Sequence, residues 1–220
     1  MQTDPGEDYA RGWVPFLDCK IYLDSHPLIP RLETEYWVEL AIAEIRHRMS
    51  DLDIRCLDLF AGSGAIGVAV LKHLPQSRVD FGEIDAAHLP TILKNVRENG
   101  IDENRVRAVK TDVWQDISGT YDIVLANPPY LSPALRDRVQ SSVLAHEPET
   151  ALFAEENGLA LIRRTAEGLR AHLAPGGTLY IEHEPEQSES IAKIASENGL
   201  AADTFPDQYG LARWSAVSVA

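Results

Sequence analysis

Two short stretches of the chain carry residues whose types and spacing could do chemistry. The first, residues 58–67, reads Asp-Leu-Phe-Ala-Gly-Ser-Gly-Ala-Ile-Gly and contains a G-x-G-x-x-G spacing. Its glycines allow a tight turn and a close approach of the backbone to a ligand, and a helix that begins there offers unpaired N–H groups to an anion. The second, residues 127–130, reads Asn-Pro-Pro-Tyr. Its two prolines predict a stiff, extended segment whose carbonyl groups are free to accept hydrogen bonds.

The Asn-Pro-Pro-Tyr tetrapeptide suits a planar group that carries an NH2. The side-chain oxygen of Asn127 and a carbonyl of Pro128 or Pro129 can each accept one N–H, and the Tyr130 ring offers a flat face for stacking. A nitrogen held in this way directs its lone pair at a methyl donor, and orientation alone can supply several kcal/mol. We therefore predict that these four residues are catalytic; the alternative is a rigid loop without chemistry.

Acidic residues near the glycine loop indicate which ligand it takes. Asp58, just before the turn, would repel a pyrophosphate and favour a ligand with an ammonium and a sulfonium group, such as S-adenosylmethionine. Glu83, near the end of the next strand, can accept hydrogen bonds from both ribose hydroxyls; Asp85 is the alternative, although its spacing favours a turn or a helix cap. Farther along, Asp112 could accept from the adenine amino group, with Val113 against the ring. A helix cap or a surface acid is the alternative for Asp112.

Short apolar runs that alternate with helical patterns must position these residues. The patterns predict strands at 54–60, 79–84, 106–111, 121–126 and 178–183. They predict helices at 35–49, 65–74, 89–99 and 158–173. Two final strands, 200–205 and 211–219, are joined by a turn sequence and predict an antiparallel hairpin, whereas the first 30 residues read as irregular. The alternation predicts one α/β domain with a parallel sheet covered on both faces, and ligands bind at the carboxyl edge of such sheets.

The composition restricts the possible functions. Of 220 residues, 45% are apolar and 25% charged, as in an ordinary globular protein. There are 20 Lys and Arg against 34 Asp and Glu, a net charge of −14, which argues against a nucleic-acid substrate because such binding depends on clustered cations. Cys19 and Cys56 have no metal-binding spacing, so we expect neither a metal nor a disulfide. Without a secretory signal or a bilayer-spanning run, we expect no membrane partner and a cytoplasmic location.

With these motifs the chain resembles the release factor glutamine methyltransferases (HemK/PrmC type). The glycine loop and the tetrapeptide are shared with enzymes that methylate amino groups of RNA and DNA, but three flanking segments are similar to the glutamine family. These are Leu-Ile-Pro-Arg-Leu-Glu-Thr-Glu at residues 28–35, Glu147-Pro148 with Ala151-Leu152, and the turn with Asp207, Gly210 and Arg213. The family usually has a proline at Leu32, a glycine at Phe60, an aromatic residue at His146 and often one at Val113.

The resemblance implies a fold, a cofactor and a set of site residues. The fold is the Rossmann-like methyltransferase fold, a mostly parallel seven-stranded sheet with a C-terminal antiparallel hairpin and helices on both faces. The cofactor is S-adenosylmethionine, with S-adenosylhomocysteine as product. The implied substrate is a protein glutamine in the Gly-Gly-Gln motif of a peptide chain release factor, bound by Asn127, Pro128, Pro129 and Tyr130. The implied cofactor-binding residues are Asp58, Phe60, Ala61, Gly62, Ser63, Gly64, Glu83, Asp112, Val113 and Asn127.

The N-terminal part departs from the family. Members that act on release factors usually carry an N-terminal helical domain that grips the substrate. Here residues 1–50 match only the connecting segment and a helix packed on the catalytic domain, which we place at 51–220. Recognition of the substrate would then depend on the catalytic domain alone or on a small partner subunit.

Other functions explain fewer of these features. A ribosomal-protein glutamine is a close variant of the implied substrate. Methylation of an exocyclic amine of RNA or DNA would require a basic face around Tyr130. A nicotinamide oxidoreductase would leave Asp58 and the tetrapeptide unexplained, and a non-catalytic protein that binds S-adenosylmethionine would not need the polar groups of the tetrapeptide.

Overall fold

A computed structural model of the chain describes residues 4–49 and 53–220. The strands are β1 (Trp13–Phe16), β2 (Cys19–Tyr22), β3 (Ile54–Leu59), β4 (Ser77–Glu83), β5 (Val106–Lys110), β6 (Tyr121–Ala126), β7 (Leu173–Glu182), β8 (Leu200–Pro206) and β9 (Ala212–Val219). The α-helices are α1 (Pro5–Arg11), α2 (Leu32–Arg48), α3 (Ala65–His73), α4 (Leu89–Glu98), α5 (Ser141–His146), α6 (Ala160–His172) and α7 (Ser188–Glu197).

Seven of the strands form one sheet in the order β5-β4-β3-β6-β7-β9-β8. The first five of these pair in parallel, and β9 runs antiparallel between β7 and β8. The order reverses between β3 and β6, and in open α/β sheets such a switch point is where ligands bind. The prediction of a mostly parallel sheet closed by an antiparallel hairpin is confirmed.

The helices cover both faces of the sheet with apolar side chains. On one face, α2, α3 and α4 bury residues such as Trp37, Val68 and Ile92. On the other face, α6 and α7 bury residues such as Leu169 and Ile194. The central strands are apolar toward both faces, which is why their sequences read as nearly continuous hydrophobic runs.

The N-terminal residues are more regular than the sequence predicts. Where we expected an irregular segment, α1 is capped by the Asp4 side chain, and β1 and β2 form an antiparallel hairpin. Its turn, Leu17-Asp18, has φ values of +43° and +60°. Because turns of this kind normally contain glycine or asparagine, the hairpin carried no recognisable signal.

Two other expectations on the elements need correction. Helices α5 and α7 were not predicted, and β7 begins at Leu173, five positions before the expected start, with Pro175-Gly176-Gly177 inside the strand. The expected boundary between the N-terminal segment (1–50) and the catalytic domain (51–220) lies outside the described residues. Within the part of the chain that the structure describes, no helix is both long enough and apolar enough to cross a membrane.

Candidate active site

The glycine loop connects β3 to α3 through left-handed backbone conformations. Phe60, Gly62 and Gly64 have φ values of +66°, +53° and +78°. The N–H groups of Phe60 and Ala61 both donate to the carbonyl oxygen of Gly82, at 3.0 and 3.1 Å, which ties the loop to β4. Because a side chain disfavours this conformation, Phe60 carries backbone strain that a glycine would avoid.

Close packing explains the other glycines of the motif. A Cβ atom on Gly64 would lie 3.1 Å from Ile92, and a Cβ atom on Gly67 would overlap the ring of Phe81. The first turn of α3 therefore lies directly on β4, which is the role of the third glycine in a G-x-G-x-x-G fingerprint.

Asp58 lies beneath this loop. It is buried, and its Oδ2 accepts a hydrogen bond of 2.8 Å from the N–H of Gly67 in the first turn of α3. Its Oδ1 is also buried and has no hydrogen-bond partner among the described residues. Burial, with a smaller contribution from nearby Glu83, raises the pKa of Asp58 to about 8. An uncompensated carboxylate oxygen at this position is suited to a cationic or hydrogen-bond-donating ligand group.

Glu83 is the last residue of β4 and contacts the glycine loop directly. Its Oε2 accepts from the N–H of Gly62 at 2.7 Å, and its Oε1 accepts from the N–H of Asp85 at 2.9 Å. Asp85 instead turns back on its own chain, where its Oδ1 accepts from the N–H of Ala87 at 2.9 Å. Of the two acids considered for a ribose, Glu83 is therefore the one that contacts the loop.

Asp112 and Val113 follow β5 and differ in exposure. Asp112 is partly exposed and forms an ion pair with Arg164, with 3.0 Å between Oδ1 and Nη2. Val113 is only 4% exposed and packs in the core around Leu59 and Ile117, with a φ of +56°. Its side chain thus offers little surface to an adenine ring, and the Asp112 carboxylate already has a cationic partner.

The tetrapeptide begins directly after β6, and hydrogen bonds hold both of its ends. The Nδ2 group of Asn127 donates to Oγ1 of Thr34 at 3.2 Å. The hydroxyl of Tyr130 donates to Oε1 of Glu182 at 2.8 Å. The first of the two prolines between them is buried and the second is partly buried. The segment is thus fixed by both its backbone and its terminal side chains.

A buried carboxylate, Glu182, joins these contacts into one network. It is the last residue of β7 and is 1% exposed. Its Oε2 accepts from Oγ1 of Thr34 and from Nε1 of Trp37, both at 2.7 Å, while Oε1 accepts from Tyr130. Burial raises the pKa of Glu182, and the three donated hydrogen bonds oppose that rise. The pKa of Tyr130 is also raised, by burial and by the neighbouring Glu182.

The backbone of Tyr130 is held as tightly as its hydroxyl. Its carbonyl oxygen accepts a hydrogen bond of 2.9 Å from Nε2 of Gln187. Gly158, at a φ of +85°, lies so close that a Cβ atom there would overlap this carbonyl oxygen.

We expect Gly158→Ala to lower both stability and turnover. The left-handed φ alone costs about 1–2 kcal/mol for alanine, and the overlap adds about 1–3 kcal/mol of packing strain. Gly176→Ala is the matched control, because Gly176 has a φ of +76° but nothing within 4 Å of an added Cβ. Thermal unfolding and steady-state kinetics of both variants test this. Equal loss of stability in the two, with turnover unchanged in both, would contradict the tight seating of Tyr130.

A cleft of about 260 Å³ opens beside the tetrapeptide. Asn127, Pro128 and Tyr130 line it, whereas Pro129 does not. Leu28 and Arg31, from the segment before α2, lie on its wall. The cleft is large enough for a side-chain amide with its neighbouring backbone, and it is next to the groups that the sequence assigns to the substrate.

Comparisons with known proteins match the chain to a family profile and to individual relatives. The Methyltransferase small domain family profile matches residues 41–150. The release factor glutamine methyltransferase of Streptococcus pneumoniae is 34% identical over 92% of this chain and 71% of its own length. That of Lactococcus lactis is 32% identical over 89% of this chain and 70% of its own length. The chain belongs to the release factor glutamine methyltransferase family.

Solved structures show the same fold at lower sequence identity. The ribosomal protein L11 methylase from Lactobacillus delbrueckii subsp. bulgaricus is 19% identical and has a TM-score of 0.62, covering 88% of this chain and 81% of the other. A methyltransferase from Pyrococcus furiosus is 16% identical and has a TM-score of 0.57, covering 81% and 80%. These neighbours show the methyltransferase fold. Membership of the release factor glutamine methyltransferase family gives S-adenosylmethionine as the cofactor.

In this methyltransferase, two of the segments that suggested the family are bonded to each other. Glu147 is buried, and its Oε1 lies 2.6 Å from Nη2 of Arg31. Its Oε2 accepts from the N–H of Ile29 at 3.3 Å. The segment before α2 is thereby fixed against the C-terminal end of α5.

The third segment supports the same cleft from the C-terminal side. Oδ1 of Asp207 accepts from the N–H groups of Tyr209 and Leu211, which closes the turn between β8 and β9. Arg213 contacts Asp207 and Glu184, both at 3.4 Å. Because Glu184 lines the cleft, this turn fixes one of its charged walls.

Reasoning from the sequence missed Thr34, Trp37 and Glu182 as members of the site. A partial signal existed for two of them. Thr34 lies in the segment 28–35 that resembles the family, and Glu182 is an acid at the end of an apolar strand, where ligand-binding groups gather. Trp37 read simply as an apolar position of α2.

Proposed function

We propose that the chain transfers a methyl group from S-adenosylmethionine to the side-chain amide nitrogen of a glutamine, in the Gly-Gly-Gln motif of a peptide chain release factor. The observation that carries this proposal is the fixed tetrapeptide at the cleft. Within it, the NH2 group of the Asn127 side chain donates a hydrogen bond to Thr34. The oxygen of the Asn127 side chain is then left to accept an N–H from the substrate amide. The names of the relatives from Streptococcus pneumoniae and Lactococcus lactis support the same substrate.

The residues around the glycine loop fit the cofactor. Oδ1 of Asp58 is buried and has no partner among the described residues, so it can accept from the cationic methionine end. A cation there would lower the pKa of Asp58 and thereby favour its ionised form. Glu83 would accept from the ribose. The N–H groups of Ala61, Gly62 and Gly64 already donate within the protein, so the loop would serve by letting its backbone approach the cofactor closely. When bound, S-adenosylmethionine supplies a methyl group on a sulfonium, so that a C–N bond forms while the C–S bond breaks and its electron pair stays on sulfur.

The protein itself must overcome the weak nucleophilicity of an amide nitrogen. The substrate amide would donate one N–H to the Asn127 oxygen and the other to a proline carbonyl oxygen. These two hydrogen bonds stabilise the transition state, in which the substrate nitrogen loses planarity as it attacks the methyl group. No base is needed before transfer, because the extra proton leaves the nitrogen afterwards and can pass to solvent. Tyr130 would hold the amide plane, since its own hydroxyl is occupied by Glu182.

Binding of nucleic acid is expected to be weak, with a shallow dependence on salt. The net charge is −14, and of the two arginines at the cleft, Arg31 is already paired with Glu147. Titration of duplex DNA and bulk RNA at several salt concentrations measures this. A slope equivalent to about six or more phosphate contacts would favour the RNA methyltransferase instead.

The deciding experiment offers two acceptors to the full chain with labelled S-adenosylmethionine. A folded release factor should be labelled and bulk RNA should not, and mass spectrometry should place the methyl group on the glutamine side chain. Labelled RNA with an unlabelled release factor would overturn the proposal. A small partner subunit and a cytoplasmic location remain predictions from the sequence.

A further inference from the structure

We propose that Glu182, acting through Thr34, fixes which way the side-chain amide of Asn127 faces. Glu182 and Thr34 are thus positioning residues for the methyl transfer proposed above, on which this inference rests. The two residues are buried and lie 148 positions apart in the sequence, and the Thr34 hydroxyl donates a hydrogen bond to the Glu182 carboxylate.

The protons available in this network fix the direction of each of its hydrogen bonds. An ionised carboxylate only accepts hydrogen bonds, and the indole N–H of Trp37 only donates. The hydroxyl of Thr34 has one proton, and the short contact of 2.7 Å to Oε2 of Glu182 directs that proton to the carboxylate. Only lone pairs of Thr34 Oγ1 then remain for Asn127.

The Asn127 amide must therefore present its NH2 group to Thr34. This is the contact observed, with Nδ2 donating at 3.2 Å. Among the described residues no group donates to Oδ1 of Asn127, which leaves that oxygen as the acceptor at the cleft. With the amide reversed, an NH2 group would meet the substrate NH2, and no hydrogen bond would form.

The same carboxylate also sets the far end of the tetrapeptide. Its other oxygen, Oε1, accepts from the hydroxyl of Tyr130. Glu182 thus holds Tyr130 directly and Asn127 through Thr34. Trp37 supplies a further donor to Oε2 and thereby helps to keep the carboxylate in place.

Thr34→Val tests the inference, because it removes the hydroxyl and preserves the volume. We expect kcat to fall by about 10–100-fold, as for misplacement of a reacting group, while KM and S-adenosylmethionine affinity change by less than about threefold. Thr34→Ser retains the hydroxyl and should recover most of kcat. Thr165→Val is the matched control, since Thr165 is a buried threonine on α6 whose hydroxyl, among the described residues, bonds to the Leu161 carbonyl alone.

A second measurement does not depend on activity. The side-chain amide protons of Asn127, observed by NMR in labelled protein without substrate, should be hydrogen-bonded in the wild type and in Thr34→Ser, and lose that bond in Thr34→Val. Two results overturn the inference: kcat of Thr34→Val equal to that of Thr165→Val, or an unchanged Asn127 amide signal. If wild-type protein methylates no glutamine, the proposed function fails, and the NMR comparison still decides the orientation of Asn127.

Discussion

Replacing Asn127 with alanine is expected to lower turnover at saturating substrate by about 10²–10³-fold, the range for deleting one preorganised polar contact to a reacting group. The loss falls on turnover because the contact strengthens as the substrate nitrogen loses planarity. Cofactor affinity should fall much less. Single-turnover kinetics with a release factor, together with calorimetry for S-adenosylmethionine, separates the two effects.

Two further variants sharpen this prediction. Asn127→Asp keeps an acceptor but has no NH2 group for Thr34, and it adds a charge near the network of Glu182. It should be impaired, although less uniformly than the alanine variant. Tyr130→Ala should mainly weaken positioning of the substrate. If Asn127→Ala methylates at nearly the wild-type rate with its fold intact by circular dichroism, the assignment of the tetrapeptide is wrong.

The second large effect is expected at Glu83, in binding of the cofactor. Glu83→Ala should weaken S-adenosylmethionine binding by roughly 1–3 kcal/mol, the cost of losing a charge-assisted hydrogen-bonding partner. The variant also removes the acceptor for the N–H of Gly62, so the glycine loop loses a contact as well. Calorimetry on the wild type and the variant measures the change.

Asp85→Ala is the matched control for Glu83→Ala. It removes a neighbouring carboxylate that bonds to the N–H of Ala87, so affinity for the cofactor should barely change. Glu83→Gln should be intermediate, because an amide oxygen can replace only one of the two accepting oxygens. A larger loss of cofactor affinity in Asp85→Ala than in Glu83→Ala would make Asp85 the ribose ligand. Tight binding of NADH without binding of S-adenosylmethionine would contradict the methyltransferase function itself.

The parallel core and both chemical motifs could be predicted because their signals are local. Strand β6 occupies the predicted range 121–126, and α3 begins at the predicted Ala65, since apolar runs and glycine turns mark these boundaries directly. The conformation of Gly64 follows from the motif in the same way. The left-handed backbone conformation of Phe60 could not be predicted, because nothing in its residue type favours that conformation.

The supporting network could not be predicted, because its members are far apart in the sequence. Trp37 reads as an ordinary apolar position of α2. The partial signals at Thr34 and Glu182 mark each residue separately and do not indicate that the two are in contact. Only the topology brings them together. The N-terminal hairpin was missed for the opposite reason: it is local, but its turn of Leu17 and Asp18 lacks the usual residues.

The distance along the chain between Thr34 and Glu182, 148 positions, has a consequence for the order of folding. Contacts that close such long loops form late, because the chain loses much entropy before they contribute. The contact between Gly62 and Glu83 spans only 21 positions and can form early. A newly made or partly unfolded chain would thus form the contact of the glycine loop with Glu83 before the contact of Thr34 with Glu182 that supports the tetrapeptide. In mild denaturant, methyl transfer should disappear at concentrations where the cofactor still binds.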